Sequence, residues 1–299
     1  MDEENRSDAA AVIAAAQEMS KAETVTVARG SALALDLLVV PSGKQVIDAK
    51  QYLDARLERP VRRTGTARMT TLESFIEHVK RFADEHTAIF AVDSPTEPAL
   101  EAVLDYHQIG ASGAPAWCTH RTHYRFPISD EWSAWTKTMD FDQRAFADFL
   151  EDRISDVADP EDAGEQTKEF AEQLGIVLAT PSALMALSRG LSVHVGQKVS
   201  QQINTSSGEV QLQFEEEHSA KSGGPLKVPG GFVIGIPVFR AGPRYSIPVR
   251  LRYKVAGGAV RWSLALLRPD LAFRDAFEAA VESVSTETQL PVLRGKPEA

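Results

Sequence analysis

From Leu191 to Leu266 apolar and polar residues take turns along the chain, and a period of two is the signature of β-strands with one buried face. Leu191, Val193, Val195, Val199 and Ile203 alternate with Ser192, His194, Lys198, Ser200 and Gln202. After a Thr-Ser-Ser-Gly turn, Val210, Leu212 and Phe214 alternate with Glu209, Gln211, Gln213 and Glu215. Phe232, Ile234, Ile236 and Val238 begin a third strand, Tyr245 to Val255 a fourth, and Val260, Trp262, Leu264 and Leu266 a fifth beyond the Gly257-Gly258 turn. Sequential strands with short connections predict an antiparallel meander. An amphipathic helix over Leu271–Val284, with Phe277, Ala280, Val281 and Val284 on one side, is placed to cover the apolar face of that sheet.

The preceding residues mix periods. An Ala-rich helical arm is expected over residues 1–21, then two short strands or one hairpin at Thr24–Val27 and Ala32–Val40, and a helix over Gln45–Arg56. Leu72, Phe75, Ile76, Val79 and Phe82 recur at helical spacing behind a Thr70-x-x-Glu73 capping box. Thr87–Val92, Ala102–His107 and Trp117–Phe126 read as strands, and Glu131–Trp135 and Asp142–Ile154 as short helices. The whole is an α+β chain: an arm at 1–21, a mixed unit at 22–155, an acidic linker with helices at 156–190, the five-stranded sheet with its helix at 191–285, and an irregular tail at 286–299. The acidic, polar start MDEENRSD does not read as a secretion signal. The most apolar early run carries Asp36 and is far short of the roughly 20 residues a membrane span needs, so no membrane partner is expected and the cytoplasm is the simplest compartment.

Charge is strongly segregated. Ten acids fall between residues 148 and 172 against Arg153 and Lys168, while His218–Pro269 holds nine Lys and Arg and no Asp or Glu. With a net charge of −10, the rest of the chain therefore sums to −19. Strand parity sends Arg250, Arg252 and Lys254 away from the side that carries Val249, Leu251 and Tyr253, and Arg261 joins them across the turn. Arg244 and Lys198 complete the expected basic face. Like charges opposite one another in a sheet repel, so something must compensate. Glu209 and Glu215 would balance a solvated face from within. Alternatively, the acidic segment of a second copy (Asp156, Asp159, Glu161, Asp162 and Glu165) would meet the basic face in a homo-oligomer. Single-stranded nucleic acid would supply phosphate, with Gln202, Gln211 and Gln213 as polar companions; Tyr245, Tyr253 and Trp262 fall on the apolar side, which leaves this face poor in rings for base stacking.

Catalytic signatures are weak. Pro41-Ser-Gly-Lys44 lacks the remaining positions of a phosphate-binding loop, and neither GxGxxG nor GxSxG occurs. Cys118-x-His120-x2-His123, with His107 on the preceding strand, is the best metal-like cluster. Its spacing matches no standard zinc signature, and parity separates His123 from the other two. His107, Cys118 and His120 are thus weak metal candidates, and no cofactor and no enzymatic activity are expected. The single cysteine also excludes an internal disulfide framework.

Several segments resemble the YfdQ-like family of phage and prophage proteins. They are Tyr124-Arg-Phe-Pro127, Ser129-Asp-Glu-Trp132 with Trp135, Gln143 and Phe146–Asp152, Ile203-Asn204 with Ser207-Gly208-Glu209, Ile236–Phe239 and Val249–Tyr253. Together they cover most of residues 60–285. These motifs carry no known chemical role, so no site residue follows from them. The resemblance implies a mobile-element setting, the cytoplasm of a bacterial host during infection or lysogeny. The expectation is a non-catalytic protein that self-assembles through its opposed charges. A nucleic-acid binding or annealing protein is the alternative, and an inhibitor of a host defence protein is a further one.

Overall fold

The computed structural model describes residues 2–21, 23–28, 34–40, 56–110, 113–137, 140–193, 199–204, 210–214, 226–256 and 259–298. The chain divides into two units, Met1–Arg63 and Thr64–Ala299. In the first, helix α1 (Asp2–Met19) precedes an antiparallel hairpin of β1 (Glu23–Ala28) and β2 (Ala34–Val39), in register from Glu23 opposite Val39 to Ala28 opposite Ala34. The helix expected at Gln45–Arg56 lies almost wholly outside the described residues.

The second unit opens with β3 (Gly65–Met69) and α2 (Leu72–Phe82). Thr71 caps α2, its hydroxyl accepting from the Ser74 N–H at 3.1 Å, so the cap lies one residue beyond the expected Thr70. Strands β4 (Ala88–Val92), β5 (Ala99–Val103) and β6 (His120–Arg125) follow, then α3 (Asp130–Thr136), β7 (Asp140–Phe141) and α4 (Gln143–Asp152). Two 3₁₀ turns, Ile154–Asp156 and Pro160–Asp162, flank β8 (Val157–Ala158). Helix α5 (Glu165–Leu174), β9 (Leu178–Ala179) and α6 (Pro181–Val193) lead to β10 (Val199–Asn204), β11 (Val210–Phe214) and β12 (Leu226–Val228). The chain closes with β13 (Gly231–Pro237), β14 (Arg244–Ala256), β15 (Ala259–Leu266), α7 (Pro269–Thr288) and β16 (Val292–Arg294).

The fold is α+β, but the five alternating segments do not share one sheet. Strands β10, β11 and β12 form a three-stranded sheet of their own. Pro229 and Gly230 separate it from β13, and a side chain at Gly231 would collide with the Val249 carbonyl. The meander is β13–β14–β15, extended at its edges by β7 on one side and β8 and β9 on the other. Leu191, read as the first strand residue, belongs instead to the last turn of α6 and is fully buried there.

A five-stranded sheet runs in the order β16–β4–β5–β6–β3, antiparallel through β4, β5 and β6 with parallel strands at both edges. The tail expected to be irregular thus ends in an edge strand, Val292 opposite Ile89. The packing divides the chain at residue 63 rather than near 155 or 190, because both large sheets bury into one core. Phe126 of the five-stranded side packs on Phe239 (4.7 Å between ring centroids) and on Phe277 of α7 (5.4 Å). Phe146 of α4 stacks on Trp262 of β15 at 4.8 Å and 8°.

Asp156, expected in the exposed acidic set, is instead only 5% exposed. Its Oδ2 accepts from Trp135 Nε1 at 2.8 Å, and its Oδ1 lies 3.8 Å from the Arg244 guanidinium. Removing the carboxylate would strand a buried indole N–H, so Asp156→Ala should lower the unfolding free energy by about 2–3 kcal/mol. Asp162→Ala, at an exposed position nearby, should stay within about 0.5 kcal/mol. Urea unfolding followed by tryptophan fluorescence would compare the two.

Candidate functional site: two basic sheet faces

The first face is the outer side of β14 and β15. The register sets Arg250 opposite Ala265, Arg252 opposite Ser263 and Lys254 opposite Arg261. Val249, Leu251, Val260, Trp262 and Leu264 point the other way and are buried. Arg252, Lys254 and Arg261 are exposed and Arg250 is half-buried. None of the four forms an ion pair with a described residue. Asp140 of β7, opposite Ser263, comes to the same side without pairing with them. Lys254 and Arg261 face each other directly, an arrangement that costs free energy unless an anion joins them.

Arg244 does not belong with this set. Its Nε donates to the Gly235 carbonyl at 2.6 Å and its guanidinium reaches Asp156, so it serves the fold. Lys198, Glu209 and Glu215 lie outside the described residues. Strand β11, which carries Gln211 and Gln213, is in a different sheet and does not line this face. Tyr253 and Trp262 pack against each other at 5.8 Å on the core side, as their parity requires.

The acidic segment lies against the same sheet in the same chain. Ile176, just past α5, fills the space left by Gly230 and Gly231, on the side shared with Val233, Pro248 and Arg250. Ala163, Thr167 and Ala171 are buried, whereas Glu161, Asp162, Glu165, Glu169 and Glu172 are exposed and form no ion pair among the described residues. Asp159 is partly used locally, its Oδ1 accepting from the Glu161 N–H at 3.2 Å.

The second face was not legible from charge counting. It is the side of the five-stranded sheet turned away from α2. One row across it reads Arg68, His123, Glu101, Phe90 and Leu293, and the next Thr66, Arg121, Val103 and Ala88. A groove of about 770 Å³ is lined by Arg68, Glu101, Trp117, Cys118, Arg121 and His123, among others. A second hollow of about 320 Å³ shares Arg68, Glu101 and His123 with it and adds Glu97, Arg125 and Lys296. Arg121 is fully engaged: it donates to the Cys118 carbonyl at 2.7 Å, to Glu101 at 3.0 Å and to the Glu298 carbonyl at 2.9 Å. Glu298 also accepts from Tyr106 at 2.8 Å and lies 2.9 Å from His107 Nε2, which pins the end of the chain to this face.

This geometry takes the metal-like cluster apart. Cys118 adopts a left-handed backbone (φ 52°), which turns its thiol under the groove among Phe90 and Val103, 3.7 Å from His107 Nε2. His120 stands on the opposite side of β6, 5.3 Å from the Phe82 ring of α2. Alternation carried straight through Cys118 would have set it beside His120, and the positive φ breaks that parity. His107 Nδ1 accepts the Ala116 N–H at 2.9 Å, so Nε2 carries the proton toward Glu298. Burial pushes the Cys118 thiol pKa up, away from the reactive thiolate. No group of three or more His, Cys, Asp or Glu able to hold a metal is present among the described residues.

The family model described as "Uncharacterized conserved protein (DUF2303)" matches residues 5–297. The chain belongs to the DUF2303 family. No curated protein and no solved structure matches it. In this DUF2303 protein no helix among the described residues is long and apolar enough to cross a membrane.

Burial lowers the pKa of both His78, 2.8 Å from the Thr122 hydroxyl, and His123. In the unfolded chain both return to about 6.5 and bind protons more readily than in the fold. Stability should therefore be fully present above about pH 6.5 and fall as pH drops through it. His123→Gln should flatten that acid slope, read from urea midpoints between pH 5 and pH 8.

Proposed function

We propose that this protein works by binding rather than catalysis, and that it self-assembles by presenting Arg252, Lys254 and Arg261 to the exposed acids of a neighbouring copy. The reading is carried by one observation: both sets of charge are exposed, opposite in sign, and without an ion-pair partner among the described residues. Pairing the basic face with itself would bring cations together, so the basic face of one copy meets the acidic segment of the other, head-to-tail or as a reciprocal two-fold pair. Complementary patches of this kind fix register and accelerate encounter more than they add affinity. The resemblance to the YfdQ-like phage and prophage proteins supports a setting in the cytoplasm of a bacterial host.

Single-stranded nucleic acid is the second reading, favoured by the same unpaired cations, which fit phosphate as well as carboxylate. The stacking rings are turned into the core on this face, which ranks it second.

Light scattering at low and high salt tests the first reading. Assemblies at low salt should dissociate as salt rises. Arg252→Glu with Lys254→Glu should give a monomer, and Asp162→Lys with Glu165→Lys the same. An equimolar mixture of the two variants should associate again. A monomer at every salt concentration overturns assembly. A salt-sensitive gel shift of single-stranded DNA, lost in Arg250→Glu with Arg252→Glu, would decide for nucleic acid.

A further inference from the structure

The outer face of the six-stranded sheet is covered at one end and open at the other. Ser246, Pro248, Arg250, Arg252 and Lys254 share one side of β14. Thr167 of α5 lines a hollow with Ser246 and Pro248, and Ile176 fills the space at Gly231, which stands opposite Arg250. These contacts lay α5 along the first half of β14 and end it at Arg250. Ala163, Thr167 and Ala171 are buried, while Glu165, Glu169 and Glu172 are exposed on the other side of the helix. Beyond Arg250, which is half-buried at the border, Arg252, Lys254 and Arg261 stand exposed.

A helix on a sheet makes a ridge about 10 Å high. Here the ridge is topped by acids and the shelf beside it carries cations. On the ridge, Lys168 stands among the acids and donates to the Glu161 carbonyl at 3.0 Å. On the shelf, Asp140 is the one acid among the described strand residues. No ion pair joins ridge and shelf within the chain among the described residues. The spacings also agree. Glu165 and Glu169 are about 6 Å apart along the helix axis. Arg250, Arg252 and Lys254 follow one another about every 7 Å along the strand.

We propose that two copies close on each other as a two-fold pair, the α5 ridge of each seated on the Arg252, Lys254 and Arg261 shelf of the other. This rests on the self-assembly reading and fixes its symmetry. Ridge and shelf lie end to end on one side of one sheet and meet at Arg250. Rotation about an axis lying across the strands near Arg250 therefore satisfies both contacts at once. It brings Glu172 to the second copy's Arg250, and Asp162 to the far end of the second copy's shelf, near Lys254 and Ala259. A head-to-tail contact would leave one ridge and one shelf open and would keep growing.

The test is a chain with Asp162→Cys and Ala259→Cys, treated with a short bismaleimide at low salt and resolved on a denaturing gel. Both positions are exposed, and Cys118 is buried. Ala158, four residues before Asp162, lies level with Pro248, whereas Ala259 pairs with Ala256, roughly 26 Å further along β14. A link within one chain is therefore out of reach. The expected product is a covalent pair and nothing larger, lost at high salt. Adding Glu165→Lys with Glu169→Lys should lower its yield at least tenfold, and neither cysteine alone should link. Light scattering of the parent should level off at the mass of two chains as concentration rises. A ladder of trimers and larger products would overturn the two-fold pair and leave self-assembly standing. So would scattering by an assembly that the two cysteines fail to link, or a link from one cysteine alone. A monomer at low salt, with no link, would overturn both readings. If that monomer shifts decathymidylate in a gel, the shelf belongs to nucleic acid instead.

Discussion

The junction of Phe126, Phe239 and Phe277 is the contact on which the larger unit depends. Phe126 lies just past the end of β6, Phe239 just past β13, and Phe277 in the middle of α7. Backbone bonds tie the same place: the Ser129 N–H donates to the Val238 carbonyl at 3.0 Å and the Arg240 N–H to Pro127 at 2.7 Å. Ser129 performs two tasks there. Its hydroxyl accepts the Trp132 N–H at 2.9 Å to cap α3 and donates to the Pro237 carbonyl at 2.6 Å. Apolar burial supplies the driving force, and these directional bonds fix how one sheet is presented to the other.

Once that junction is set, each large sheet has one face committed to the core and another that the core does not need. On both free faces the alternation of strands gathers cations. They arise differently. On β14 and β15 the charges follow from an acid-free run of sequence. On the five-stranded sheet they come from Arg68, Arg121 and Arg125, which stand far apart in the chain and meet through register. Two of the cations there are neutralised by glutamates on β5 or just before it. The contrast explains how a chain of net charge −10 still gathers cations in two places.

Periodicity made much of the fold legible. Phe75, Ile76 and Val79 sit where their spacing in α2 put them, and Arg250, Arg252 and Lys254 point where parity sent them. What escaped was long-range pairing. Nothing local in Val292–Arg294 says that it joins Ile89–Ala91, or that Val157 pairs with Ile234. The boundary at β12 was hidden because alternation is the same on both sides of Pro229. The groove was hidden for a third reason. Its strained corner is at a cysteine, and only a glycine there would have signalled a positive φ. An exposed Trp117 reads in sequence as any buried tryptophan does.

The parallel pairing of β16 with β4 has a consequence for how the protein acquires its structure. Ile89 waits for a partner about 200 residues further along the chain, and contacts of that span are slow to close. Until they close, β4 is an edge strand with open hydrogen-bonding groups, a surface on which strands of other molecules can add. The six-stranded sheet can be assembled while the five-stranded one still lacks its border. Among the strand pairings of the described residues, closing this border spans the greatest length of chain. During synthesis there is an interval in which the nascent chain, already rich in structure, is most exposed to mispairing with its neighbours.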